Sequence, residues 1–186
     1  MTVDDDSRKI SLGVPGAHNA INAALAIAAC SQVGISMDQA IAGLGNLELT
    51  GKRLALRESR GIRVIDDTYN ASPESTLAAL NLLDDIDGRK IAVLGDMLEL
   101  GQYEREGHRR VGLRASEIVL VGELSKITQE AVLETSFNPQ KLHWFANADG
   151  AIDHLKPTLQ QGDIVLVKSS HSMHLESIVF ALEEVH

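Results

Sequence analysis

Four polar stretches carry the side chains that could do chemistry: Asp66-Asp67-Thr68-Tyr69-Asn70, Gly95-Asp96-Met97, Gly122-Glu123-Leu124 and Lys168-Ser169-Ser170-His171. Asp66 and Asp67 offer a metal pair, a general base or acceptors for ribose hydroxyls. Lys168 offers a cation for a phosphate or a carboxylate, and Tyr69 a flat ring beside a ligand. Taken singly, such a loop is more often a connector that caps a helix. The seven histidines show no metal-ligand spacing. His171 and His174 stand three apart, with no Cys or carboxylate cluster to complete a site. Glu104, Glu106 and His108 read as a solvated helix face, and Cys30 as a small buried residue.

Each of the four stretches follows an apolar run and precedes a helical pattern. Ile62-Arg63-Val64-Ile65, Ile91-Ala92-Val93-Leu94, Glu117-Ile118-Val119-Leu120-Val121 and Ile164-Val165-Leu166-Val167 are the runs, with Leu142-His143-Trp144-Phe145 a weaker fifth. Helices are expected from Ser72-Pro73, with Ser72 as cap and Leu77, Leu80 and Leu83 inward. Others are expected over 104–115, 125–134, 148–159 and 173–184. Short apolar strands alternating with helices predict an α/β, Rossmann-like fold with a mostly parallel sheet covered on both faces. Arg53 to Arg57 and Ile62 to Ile65 flank Ser59-Arg60-Gly61, predicting an antiparallel edge hairpin. In open sheets of this kind ligands gather beyond the carboxyl ends of the strands, where all four stretches would fall.

The first fifty residues differ. A short strand from Ser11 precedes a buried Ala-rich helix over about 19–33, with Asn19 as cap and Gly34 just past its end. Ser36-Met37-Asp38-Gln39 is a capping box opening a helix to about Leu44, where Gly43, Gly45 and Asn46 punctuate. Two such helices are too few to build a core unaided.

With 186 residues there is room for one domain, or one domain and a piece of another. Hydrophobic residues are 44%, enough for a core. A net charge of −9 argues against nucleic acid as a partner. No apolar run reaches the roughly 18 residues of a membrane span. Thr-Val-Asp-Asp-Asp after Met1 gives no signal peptide, and the single Cys30 fits a reducing compartment, so a cytoplasmic protein is expected. The P-loop pattern G-x-x-x-x-G-K-[ST], the dinucleotide fingerprint G-x-G-x-x-G and the nucleophile elbow G-x-S-x-G are all absent. An α/β sheet without its own phosphate cradle suits one domain of a larger machine.

Five stretches read in order resemble the Mur ligases of bacterial cell-wall synthesis. They are Gly16-Ala17-His18-Asn19-Ala20-Ile21-Asn22-Ala23, Gly51-Lys52-Arg53-Leu54, Asp66 to Ala71, Val93 to Gly101 and Val167 to Met173. The third and fourth stretches, with D-D-T-Y-N-A and G-D-M-L-E-L-G, favour the branch that adds D-alanyl-D-alanine to the UDP-muramoyl-tripeptide. The resemblance implies residues 1–49 as the tail of a central ATP-binding domain and 50–186 as a complete carboxyl-terminal domain. The composition break near Gly51 falls at that boundary.

It also implies an acceptor carboxylate activated by ATP to an acyl phosphate, which the dipeptide amine attacks. Magnesium ligands, the P-loop and the other domains of the same enzyme would lie outside this chain, which holds no catalytic residue of its own. By resemblance Asn22 reaches the adenine, while Arg53 and Asp67 reach ribose and phosphates. Tyr69, Asn70, Asp96, Lys168, Ser170 and His171 hold the amino substrate. The family usually shows K-G-S-R where this chain has Lys168-Ser169-Ser170-His171, and a basic residue is frequent where Ala17 stands. Ser for Gly limits backbone approach; His for Arg trades a permanent bidentate donor for a mostly neutral one. Two other readings stay open: a sibling Mur-type or folylpolyglutamate ligase, and a free-standing, non-catalytic nucleotide or small-ligand module.

Overall fold

A computed structural model describes residues 8–14, 17–45, 51–111 and 115–184. The chain divides into two compact units, Met1–Leu49 and Thr50–His186.

The first unit holds α1 (Ala17–Gln32) and α2 (Met37–Gly45). The capping box opening α2 is present: Gln39 N–H donates to Ser36 Oγ at 3.3 Å, and Ser36 N–H to Gln39 Oε1 at 3.1 Å. Gly34 takes φ +81 just past α1, as its position predicts. Three expectations fail here. No strand forms at Ser11, because an extended segment becomes a strand only by pairing, and the described residues of this unit hold only helices. Asn19 lies inside α1 rather than capping it. The Ala-rich helix is not buried either. Val14 and Ala23 are the buried hydrophobics of the described residues here, while Ile21 and Leu25 are 64% and 65% exposed. Cys30 is half-buried. Asn46 lies outside the described residues.

The second unit is one six-stranded sheet. Its strands are β1 (Ala55–Ser59), β2 (Ile62–Asp67), β3 (Lys90–Gly95), β4 (Glu117–Val121), β5 (Leu142–Phe145) and β6 (Ile164–Lys168). The order is β1-β2-β6-β3-β4-β5, parallel throughout except for the β1-β2 hairpin at one edge. Arg60 and Gly61 turn that hairpin, both at positive φ, the conformation a two-residue turn needs to follow the strand twist.

Helices α3 (Pro73–Asp84), α4 (Glu104–Arg109), α5 (Ser125–Leu133), α6 (Ala148–Thr158) and α7 (Glu176–Glu183) cover both faces. α6 and α7 pack on strands together with Val93, Val119, Val121, Val165 and Val167; these valines alternate along their strands and so share one face. α3 packs on β3 and β6, and α5 on β4 and β5. Ser72 caps α3 by accepting from Ser75 N–H, and Leu80 and Leu83 are buried, with Leu77 partly so.

Two helices are shorter than their patterns suggest. α4 ends at Arg109, where Arg110 N–H closes on Gly107 O, and part of the remaining expected span lies outside the described residues. α7 starts at Glu176 because His174, at φ +53, breaks the turn that would have joined it to the 3-10 helix His171–Met173. Among the described residues no helix is long and apolar enough to cross a membrane.

Candidate functional site

Parallel pairing sets the carboxyl ends of β2, β6, β3 and β4 side by side. Asp67 is in register with Lys168, Lys168 with Leu94, and Gly95 with Val121. All four sequence-predicted stretches therefore emerge along one edge.

Asp66 and Asp67 do not act as a pair. Successive strand side chains alternate, so the two carboxylates have separate partners. Asp66 accepts from Thr68 Oγ1 at 2.7 Å and from Arg57 at 3.3 Å, so it shapes the turn after β2. Asp67 accepts from Lys168 Nζ at 2.5 Å and from Leu54 N–H at 3.2 Å. The metal-pair reading falls.

Lys168 is 2% exposed on a central strand, not a solvated lysine at a sheet edge. Burial pushes its pKa down and the adjacent Asp67 opposes that shift. Its ammonium also donates to Asn70 O at 3.0 Å, tying the loop after β2 to β6.

Asp96 begins a second tie. Its Oδ1 accepts from Ser125 N–H at 2.7 Å, holding the start of α5, while Ser170 N–H donates to Asp96 O at 3.1 Å. Leu98 N–H donates to Ser170 Oγ at 2.7 Å, and Met97 N–H to His108 Nε2 at 3.0 Å. Close approach requires glycine at two places. A Cβ on Gly95 would stand 2.6 Å from Ser169 Cβ, and one on Gly122, at φ +104, would stand 2.5 Å from the Asp96 carboxylate. Ser169 Oγ is buried without a hydrogen-bond partner among the described residues.

Burial raises the Asp96 pKa, against the backbone N–H donors that lower it. A carboxyl whose folded pKa is raised binds its proton more tightly when folded. Its stabilising share is complete below the unfolded value and is lost as pH rises through the folded one. The stability of wild type relative to Asp96→Asn should therefore fall as pH rises through that window. Denaturant unfolding of both proteins across acidic pH measures it; a flat or rising difference contradicts the assignment.

Tyr69 and Asn70, Leu98 and Glu99, and Ser170, His171 and Ser172 line one open cleft. Arg53, exposed, lays its guanidinium 4.0 Å from the Tyr69 ring centroid. The Tyr69 and His171 rings are 6.1 Å apart. The structure thus brings Tyr69, Asn70, Ser170 and His171 to the cleft wall, and puts Asp67, Asp96 and Lys168 beneath it as the groups that hold its loops. Asn22 lies in the first unit, exposed on α1, where it donates to Asn19 at 3.4 Å.

His108 overturns its sequence reading. It is 1% exposed, and Glu104 O lies 2.8 Å from Nδ1. That contact makes Nδ1 the donor and leaves Nε2 to accept from Met97. The Glu-x-x-x-His spacing signals only that the two share a helix face. It does not show that the face turns inward.

Comparison with known proteins decides the family. Residues 52–171 match the family model described as "Mur ligase, glutamate ligase domain". The chain belongs to the Mur ligase family. This Mur ligase chain is 36% identical over 177 residues to the UDP-N-acetylmuramoyl-tripeptide--D-alanyl-D-alanine ligase of Bacillus subtilis (strain 168), covering 91% of this chain and 38% of that protein. A solved structure of MurF from Acinetobacter baumannii superposes with a TM-score of 0.82 at 29% identity, over 94% of this chain and 39% of the other. The MurF ligase of Thermotoga maritima, solved in complex with ADP, gives 0.76 at 25% identity, over 94% and 40%. The chain spans about two fifths of the length of these relatives. The family match falls within the unit that holds the six-stranded sheet.

Proposed function

We propose that this chain is the carboxyl-terminal part of an ATP-dependent ligase that joins D-alanyl-D-alanine to the UDP-muramoyl-tripeptide in the cytoplasm. The observation that carries the reading is the cleft itself. Its walls are the motif residues Tyr69-Asn70, Leu98-Glu99 and Ser170-His171-Ser172, drawn from three separate loops to one edge. The likeness to ligases named for this reaction supports it.

Residues 1–49 are the tail of the central ATP-binding domain. A unit that exposes Ile21 and Leu25 on α1 and, at 75%, Val33 just past its end has the apolar surface of a piece that completes a larger core. Residues 50–186 are the carboxyl-terminal domain.

ATP supplies the phosphoryl group that activates the acceptor carboxylate. Arg53 fits a nucleotide: its exposed guanidinium, already stacked on Tyr69, has donors to spare for phosphate or ribose. Asn22 serves the adenine. Asp67 serves the nucleotide chiefly by fixing Lys168 and the backbone of Leu54. At this edge Asp66, Asp67 and Asp96 are each engaged by protein donors. They do not form a magnesium site, and the ligands for that ion come from the other domains. Tyr69, Asn70, Ser170 and His171 orient the dipeptide so that its amine meets the activated carboxyl, an entropic contribution rather than proton transfer.

The test is a ligase assay on the complete enzyme with UDP-muramoyl-tripeptide, ATP, magnesium and competing amines. D-Alanyl-D-alanine should be the preferred amine, and His171→Ala should raise its KM about tenfold while that for ATP changes little. Preference for another amine would make this a sibling ligase. Residues 1–186 alone should neither hydrolyse ATP nor form the bond, since the groups that meet the developing charge are supplied elsewhere. Phosphate release by the isolated chain that disappears in Asp67→Ala would contradict this.

A further inference from the structure

A second cluster stands at the opposite, amino-terminal end of the sheet. Glu117 opens β4, His143 is on the edge strand β5, and His154 is on α6 above them. His143 Nε2 lies 3.6 Å and His154 Nε2 3.4 Å from the same carboxylate oxygen, Glu117 Oε1. The other oxygen faces Lys141 Nζ at 3.5 Å and Arg89 at 3.8 Å. The two imidazole rings are 4.1 Å apart and tilted by 40°.

The His154 contact is a long hydrogen bond, and the His143 contact lies beyond the usual donor–acceptor range of about 2.7–3.2 Å. Both separations also suit a different geometry. Ligands at about 2.0–2.1 Å from a tetrahedral ion are separated from one another by about 3.3 Å. One ligand atom from each of the three residues lies within 4.8 Å of the others, so an ion needs only small side-chain movements. Glu117 is 3% exposed, whereas the His143 and His154 side chains are 27% and 22% exposed. The site is fixed at its base and open at its rim, leaving a fourth position for water.

We propose that Glu117, His143 and His154 form a zinc-class metal site that staples the edge strand β5 to β4 and α6. Two imidazoles and one carboxylate select a borderline transition ion over magnesium or calcium, which take oxygen ligands. Lys141 and Arg89 face Oε2 and leave Oε1 for the ion; Arg89 is itself fixed by Asp163 at 2.8 Å. The site is remote from the cleft and independent of the ligase reading.

Titration of the full 186-residue chain with zinc chloride, and with cobalt chloride as a visible probe, tests it. The expected result is one equivalent bound at about 10 μM or tighter, the visible bands of four-coordinate cobalt, and a thermal midpoint raised by about 5 °C at saturating zinc. His154→Ala should weaken zinc at least about tenfold, as should Glu117→Gln, which keeps the shape if the first variant fails to fold. His174→Ala should leave binding unchanged. No binding at about 100 μM zinc, or equal affinity in wild type and Glu117→Gln, overturns the proposal.

Discussion

Lys168→Met should destabilise the carboxyl-terminal unit by about 3–5 kcal/mol, because it leaves the buried Asp67 carboxylate without its cation. The pair itself is not a large net source of stability: burial already lowers the Lys168 pKa against the opposing pull of Asp67. The cost arises from breaking it on one side. Lys168→Met combined with Asp67→Asn should therefore recover much of the loss, as an amide still accepts from Leu54 N–H. Denaturant midpoints of the wild type, Lys168→Met, Asp67→Asn and the double variant measure this. Activity in the complete enzyme should stay low in the double variant, because the tie from Lys168 to Asn70 O is gone in both backgrounds. Recovery of activity along with stability would show that the pair matters only for folding.

pH adds an independent check. A lysine whose folded pKa is lowered binds its proton less tightly when folded than when unfolded. Between the folded and unfolded values stability therefore rises with pH. Wild type should gain on Lys168→Met as pH climbs toward the ordinary lysine value; a constant gap would refute the buried-cation account.

His108→Ala should cost about 3–5 kcal/mol, from the cavity left by a buried ring and from orphaning the Met97 N–H. His108→Gln should cost distinctly less, since its amide oxygen can stand near the Nε2 position. The functional consequence is directional. Met97 lies next to Asp96, whose carbonyl meets Ser170 N–H, and Leu98 N–H meets Ser170 Oγ. Freeing Met97 loosens the wall of the cleft formed by Leu98 and Glu99. In the complete enzyme His108→Ala at a temperature where it remains folded should raise KM for the dipeptide more than for ATP. Equal effects on both would mean that His108 serves packing alone.

Strand and helix identity in the second unit was legible because its signals are local. Ile91 to Leu94, Ile118 to Val121 and Ile164 to Val167 are continuous apolar runs of strand length, and Ser72-Pro73 carries its own capping chemistry. The loops at their carboxyl ends were found for the same reason, since in a parallel sheet every crossover returns the chain to the same edge. Element ends were less legible. α7 begins at Glu176 only because His174 adopts a left-handed conformation that nothing in its own side chain announces.

What the sequence determined by itself was the order of elements in the second unit, the family and the edge that holds the cleft. Only tertiary structure decided what each polar side chain does there. Asp66 and Asp67 are neighbours in sequence and separated in space because the strand alternates. His108 belongs to a polar-looking helix whose inner face is closed by α5, with Thr128 Oγ1 donating to His108 O at 2.8 Å. Glu117, His143 and His154 meet because parallel pairing and a helix crossover fold distant positions onto one corner. Spacing along a chain reports proximity only within a single element; across elements, register and packing set it.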